Sequence, residues 1–174
     1  NQNIDTPTIR NVPFFLKIFN LLGLYPSNAG KISSSGWHSP HDKIKKTRQV
    51  DWLPTGMLIV DAELNEQIKF DLFFSDYGYL EDLDFSFSLN QIASLFYLPK
   101  LSVQTKFKDR SDFNFGVNEV LNRFYFVKKH KLSYLSFSLM VVLRLLYSLI
   151  LSIFGFNGSL IKRFFGNLKA IISI

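Results

Sequence analysis

The stretch LEDLDFSFSLNQIASLFYL, residues 80–98, decides how the chain is read. Leu80, Leu83, Phe87 and Ile92 recur near helical spacing behind the acidic start Glu81-Asp82, so a helix is predicted from there. The apolar run at residues 95–98 is short and bounded by turn residues, as a buried strand is. A similar run at residues 57–60 lies upstream. Strands and helices then alternate, and an α/β layer is expected rather than an all-β sandwich.

Outward from this segment, the apolar run at residues 14–24 sits between Pro13 and Pro26 and reads as a short helix. Residues 30–36 are polar and Ser-rich. Residues 39–48 add Pro40 and the cluster Lys43, Lys45, Lys46 and Arg48, which reads as a surface loop between two short strands. Downstream, Val117, Val120, Leu121 and Phe124 recur at three and four, predicting a helix over 117–129. Residues 132–156 form an apolar run interrupted by one charge, Arg144, long enough to cross a bilayer of about 30 Å. After a turn at 155–158, Leu160, Ile161, Phe164, Phe165, Leu168, Ile171 and Ile172 share one helix face and Lys162, Arg163, Asn167 and Lys169 the other. That pattern predicts an amphipathic interfacial helix.

With 174 residues the chain has room for one modest domain and an appendage. It starts at Asn1 rather than at a methionine, and a portion upstream is expected. Phe supplies 19 residues, many in the second half, which points to a lipid-facing end. The formal charge of +6 suits either nucleic acid or an anionic membrane. Placement decides between them: Lys128, Lys129, His130 and Lys131 abut the apolar run, and Lys162, Arg163 and Lys169 line the last helix. Membrane lipid is the expected partner, and nucleic acid is not. The absence of cysteine excludes disulfides, thiolate chemistry and cysteine-zinc sites. No Gly-x-Ser-x-Gly elbow or phosphate-cradling glycine loop occurs.

Val50-Asp51-Trp52-Leu53-Pro54-Thr55-Gly56, then Phe70-Asp71, Tyr77-Gly78 and Glu81-Asp82-Leu83-Asp84-Phe85-Ser86, follow in order. Tyr97-Leu98-Pro99, Asn122-Arg123-Phe124-Tyr125-Phe126 and Lys128-Lys129-His130 continue the series. Over roughly residues 30–130 it resembles the acceptor half of family 2 glycosyltransferases of the GT-A (nucleotide-diphospho-sugar transferase) fold. The resemblance implies a partial GT-A domain over 1–130 followed by membrane-associated helices over 131–174. It also implies inverting transfer from a nucleotide-sugar donor to a cell-envelope polysaccharide or lipid-linked glycan acceptor, on the cytoplasmic side of a membrane. Asp82 would be the general base, with Glu81 beside it as a supporting acid. Asp51, Trp52, Thr55 and Gly56 would contact the acceptor. A divalent cation, Mg or Mn, is implied, with its ligands mostly outside this chain. So is the donor-binding half, without which the chain alone is expected to be inactive.

The residues themselves fit that base. In the first turn of a helix, free backbone N–H groups and the dipole favour an ionised acid. Helix capping is the plainer reading of Glu81 and Asp82. Trp52 either presents its face to sugar C–H bonds or packs in the core, and Asp51 either orients a hydroxyl or pairs with a lysine. Asp82-Leu83-Asp84 imitates a metal-holding Asp-x-Asp, but it opens a helix, so Asp84 is expected on the helix surface or in support. Many relatives carry a histidine after the Tyr-x-Pro strand, where Gln104 or Thr105 stands here. His38 and His41, with Pro40 between them, are expected in a solvated loop rather than at a metal. A non-catalytic, membrane-tethered remnant is the alternative to an enzyme.

Overall fold

The structure is a computed structural model that describes residues 19–20, 22–41, 44–74, 78–100, 112–155 and 158–174. Two strands, β1 (Arg48–Val50) and β2 (Leu95–Tyr97), pair antiparallel with Arg48 opposite Tyr97 and Val50 opposite Leu95. Five helices carry most of the rest: α1 (Ala62–Gln67), α2 (Glu81–Asn90), α3 (Phe113–Lys129), α4 (Tyr134–Gly155) and α5 (Gly158–Ile172). Short 3-10 turns at Thr55–Met57 and Leu72–Phe74 complete the regular structure described.

The helices after Glu81 and around 117–129 are present, and the strand expected at 95–98 is found over Leu95–Tyr97, though only Leu95 is buried and Phe96 and Leu98 are exposed. The predicted strand at 57–60 is not found. A 3-10 turn reaches Met57 and no strand follows it. Among the described residues the chain is mostly helical with one small sheet, so the layered α/β sheet expected from alternation is absent there. Most of the run at 14–24 lies outside the described residues, as do Tyr77, Gln104 and Thr105.

Helix α2 is shared between two hydrophobic groups. Leu83 joins Trp37, Trp52, Phe74, Val120 and Phe126 on one side. On the other, Phe85 and Leu89 pack with Val50 and Leu95 of the sheet. Each fully buried side chain of this size stabilises the fold by about 1.5 to 3 kcal/mol.

Of the surface loop expected over 30–48, Lys45, Lys46 and Arg48 are exposed, but the part at 30–41 is largely buried. Ser35, Gly36, Trp37, Ser39 and His41 are all buried, and an isolated bridge pairs Ile32 with His38. Gly36 has φ of +78°, and a Cβ there would come within 2.7 Å of Val127, so glycine is required on both counts. Its carbonyl accepts a hydrogen bond from Arg123. The Arg123 guanidinium lies 4.2 Å from the Trp37 ring, a cation–π contact that a buried cation favours.

Helix α3 opens on Asp112, whose side chain accepts from the Phe115 N–H at 2.7 Å, and closes on Lys128 and Lys129, where the dipole favours cations. Helix α5 runs antiparallel along it at backbone contact. A Cβ on Gly116 would collide with the Arg163 carbonyl, and one on Gly166 with the Phe113 carbonyl.

Candidate functional site

Asp82 sits in the first turn of α2, together with Glu81 and Asp84. The chain reaches that turn by an unusual path. Leu80 is buried, yet holds the left-handed conformation with φ of 71°. A bulky residue there is strained by about 1 to 3 kcal/mol, and such strain persists only where the surroundings fix it. They do so here. Asn122 of α3 donates its side-chain N–H to the Tyr79 carbonyl at 2.8 Å, and Arg123 donates to the Tyr79 hydroxyl at 3.0 Å. The backbone leading into Asp82 is therefore pinned by the helix packed behind it.

The Asp82 carboxylate is largely enclosed, with Oδ1 accepting from the Leu83 N–H at 2.8 Å. Burial raises its pKa from 3.8 to about 6, and the neighbouring Glu81 charge adds to this against the hydrogen bond from Leu83. Helix position alone predicts a more acidic group. Desolvation outweighs it, because the carboxylate makes too few hydrogen bonds to replace its water. The result is a carboxylate still mostly ionised at neutral pH and a stronger proton acceptor than a free aspartate.

Ser86, one turn on, links the helix to the upstream loop. Its hydroxyl donates to the Asp82 carbonyl at 2.6 Å and accepts from the Leu53 N–H at 3.1 Å. The loop after Trp52 is thereby fixed beside the first turn of α2. Thr55 is half-buried and Gly56 exposed, with open space where a Cβ would stand on Gly56.

Trp52 and Asp51, the other two residues expected at an acceptor, are engaged within the protein. Trp52 is 8% exposed, donates from Nε1 to the Ser39 carbonyl at 3.0 Å, and has the His38 and His41 rings 4.4 and 4.6 Å from its own. This is the core position, and it offers a sugar no free face. Asp51 accepts from Lys31 at 2.7 Å and from the Ile32 N–H at 3.0 Å. That is the lysine pairing.

His38 and His41 are not solvated. His41 is buried with Nε2 2.9 Å from the Trp52 carbonyl. Burial, then the Arg123 charge and the neighbouring His41 ring, lower the His38 pKa to about 3, so it is neutral at physiological pH. Two imidazoles against an indole make a packed aromatic group here, and among the described residues no set of three metal-ligating side chains comes together.

Asp84 is in support, and not on the helix surface. At 1% exposure, its Oδ2 accepts from Lys129 at 2.7 Å and its Oδ1 lies 2.8 Å from His130 Nε2. Lys129 also donates to Asp71 at 2.8 Å, which accepts from the Tyr125 hydroxyl at 2.8 Å. The Lys129 hydrogen bond holds the Asp71 pKa near 2. Both Asp84 oxygens are thus occupied by cationic or hydrogen-bonding partners of α3 and its C-terminal cap, leaving Asp84 unfit as a metal ligand. Lys129 and His130 are likewise directed at α2 and not at lipid headgroups.

A second buried charge group joins the C-terminal helices to α3. Glu119 receives two hydrogen bonds from Arg163, at 2.9 and 2.6 Å, and Arg144 Nε lies 3.6 Å away. Burial would raise the Glu119 pKa, but Arg144 and Arg163 overcome that and hold it at about 2. The lone charge of the apolar run therefore faces a carboxylate. On α5, Arg163 and Asn167 turn inward and Ile161, Phe165 and Ile172 face outward, so the polar face expected at lipid headgroups is partly packed on protein. Over Tyr134–Ser152, α4 is long and apolar enough to cross a membrane.

No family model matches the chain, and no curated protein or solved structure gives a significant match.

Proposed function

We propose that the chain is the acceptor half of a membrane-attached, inverting glycosyltransferase in which Asp82 is the general base. The observation that carries this reading is the state of Asp82: an enclosed carboxylate with a pKa near 6 on a helix start under backbone strain. Strained backbone and a pKa moved toward neutrality are features that gather at catalytic sites. The ordered resemblance over roughly residues 30–130 supplies the reaction class.

In this reading the acceptor hydroxyl lies at Asp82, which takes its proton as the oxygen attacks the anomeric carbon of the nucleotide sugar. The bond to the diphosphate breaks as the new glycosidic bond forms, and configuration inverts. Glu81 keeps Asp82 basic through its charge. Thr55 and Gly56, held near the helix by Ser86, form the acceptor contact. Trp52 and Asp51 support that loop from below. The donor-binding half, and the ligands of the implied Mg or Mn ion, belong outside this chain. The described residues do not fit such an ion, since Asp84 is consumed by Lys129 and His130, and the chemistry assigned to this chain is proton abstraction.

One sequence feature favours a non-catalytic, membrane-tethered remnant: Gln104 or Thr105 stands where relatives carry a histidine. Such a remnant binds glycan or lipid without turnover. The deciding experiment is acceptor-dependent transfer by the full protein from a nucleotide-sugar panel, with the product's anomeric configuration read by NMR. Inverted product supports the proposal. A retained configuration, or glycan binding with no transfer from any donor, contradicts it.

A further inference from the structure

We infer that α4 and α5 dock in the plane of an anionic lipid surface and that neither crosses it. This rests on the proposed membrane attachment and chooses between its two modes. Three observations carry it.

The first is polarity. A helix that packs on a soluble domain buries its apolar face and shows water its polar one. Here α5 turns Arg163 and Asn167 inward, to Glu119 and the surface of α3, while Ile161, Phe165 and Ile172 are exposed. Helix α4 adds Leu139 and Leu146 to the exposed row. Small residues at a helix contact, charges paired inside and apolar side chains outside are the arrangement suited to lipid as solvent.

The second is where α4 is held. The Ser133 N–H donates to the Ser34 carbonyl at 3.0 Å, and the Phe137 ring lies 6.2 Å from that of Trp37. Met140 is fully buried, and Arg144 reaches Glu119. One face of the first half of α4, through Phe137, Met140 and Val141, is thus packed on the core of the body. Beyond Arg144 only residues 145–155 of the helix remain. At about 1.5 Å per residue they extend roughly 16 Å, about half of a hydrocarbon core of roughly 30 Å. A helix fixed in this way can enter one leaflet but cannot span both.

The third is charge. Lys162 and Lys169 are exposed beside the apolar row of α5, and Lys131 is exposed where α4 begins. Cations bordering an outward apolar row match the phosphates of an anionic leaflet.

The chain has no cysteine, so once any cysteine outside it is replaced by serine, single cysteines report topology without background. Lys131→Cys and Lys162→Cys, each in the full protein, are labelled with a membrane-impermeant maleimide in right-side-out and inverted sealed vesicles from expressing cells. Flotation with phosphatidylcholine vesicles, with and without phosphatidylglycerol, is measured in parallel for the parent and for Phe165→Glu. In-plane docking requires both cysteines to label from the same side. It also requires a preference for the anionic vesicles and at least a tenfold loss of bound protein in Phe165→Glu. Labelling of Lys162→Cys from the opposite side, or from neither, overturns in-plane docking while leaving attachment standing. Failure to float with either vesicle overturns attachment itself. A soluble dimer that Phe165→Glu dissociates would assign the row to a second copy of the chain and overturn the lipid assignment.

Discussion

The side chain of Asn122 donates to the backbone carbonyl of Tyr79 at 2.8 Å and so fixes, from a different helix, the left-handed turn that delivers Asp82 to the start of α2. Without that bond the Tyr79 carbonyl loses its support and the strain at Leu80 can relax. Asn122→Leu is expected to cost about 1 to 3 kcal/mol in urea unfolding, the usual penalty for leaving a buried partner unpaired. On the proposed mechanism it should also lower kcat more than donor affinity, because the proposed base is displaced while the proposed donor half is untouched. Normal turnover at reduced stability would reduce Asn122 to a packing residue.

The raised pKa of Asp82 gives activity and stability opposite responses to pH. As a base it works only when ionised, so kcat/KM should rise through about pH 6 and lie about tenfold below its plateau at pH 5. For stability the sign reverses. The folded carboxylate binds a proton up to about pH 6 and the unfolded one only to 3.8, so folding stability falls as pH rises through that window. Asp82→Asn removes the cost of a buried charge. Its melting temperature should match or exceed the parent's at pH 8, with the difference vanishing at pH 4.

Glu119 answers to two arginines, and its removal takes away the carboxylate that both face. Glu119→Gln is expected to destabilise by about 3 to 5 kcal/mol, as breaking one side of a buried pair does. Because its pKa is held near 2 against an ordinary value of 4.5, its contribution is present above about pH 4.5 and lost as pH falls toward 2. Chemical unfolding in mild detergent across that range measures it. An unchanged midpoint would mean that the pair contributes nothing to docking α5.

The glycine contact between α3 and α5 makes a separate mechanical prediction. Gly116→Ala and Gly166→Ala place a methyl against helix backbone, which cannot rotate aside. Each should cost about 1 to 3 kcal/mol by overpacking. Gly56→Ala has open space around it and should leave the melting temperature unchanged while raising the acceptor KM if the loop touches acceptor. A change in stability there and none in KM would remove the loop from the site.

The sequence disclosed most where the signal was local. The spacing of Leu80, Leu83 and Phe87 located α2, and the apolar run with its single arginine located α4. Inward acids were harder to see. Asp84 stands four residues after Leu80 and beside Leu83, within the apolar stripe, which is a sign of burial. Its partners Lys129 and His130 lie 45 and 46 residues away, and only packing brings them together. Glu119 and Arg163 are likewise 44 residues apart. The α5 helix displayed two faces in sequence without indicating which one another helix would cover. At Trp52 periodicity was uninformative, and the two histidines that enclose it come from a loop whose Ser-rich composition suggested solvent.

Asp84 and Asp82 share a helix turn but are assigned different tasks, and variants separate them. Asp84→Asn weakens the links to Lys129 and His130, and about 2 to 3 kcal/mol of stability should be lost, below the figure for a fully buried pair because Lys129 retains access to water. Donor affinity and metal dependence should not change. If Asp84→Asn instead abolished metal and donor binding in a stably folded protein, the Asp-x-Asp reading would replace this one.

The most direct test is steady-state turnover of Asp82→Asn in the full protein, with donor affinity and melting temperature measured on the same preparation. Asparagine keeps the shape of the side chain and its hydrogen bond from Leu83 but cannot take a proton. General-base catalysis is worth about 10²- to 10⁴-fold, so kcat should fall by that order while donor affinity and fold are retained. Turnover within a few-fold of the parent enzyme would show that Asp82 is not the base.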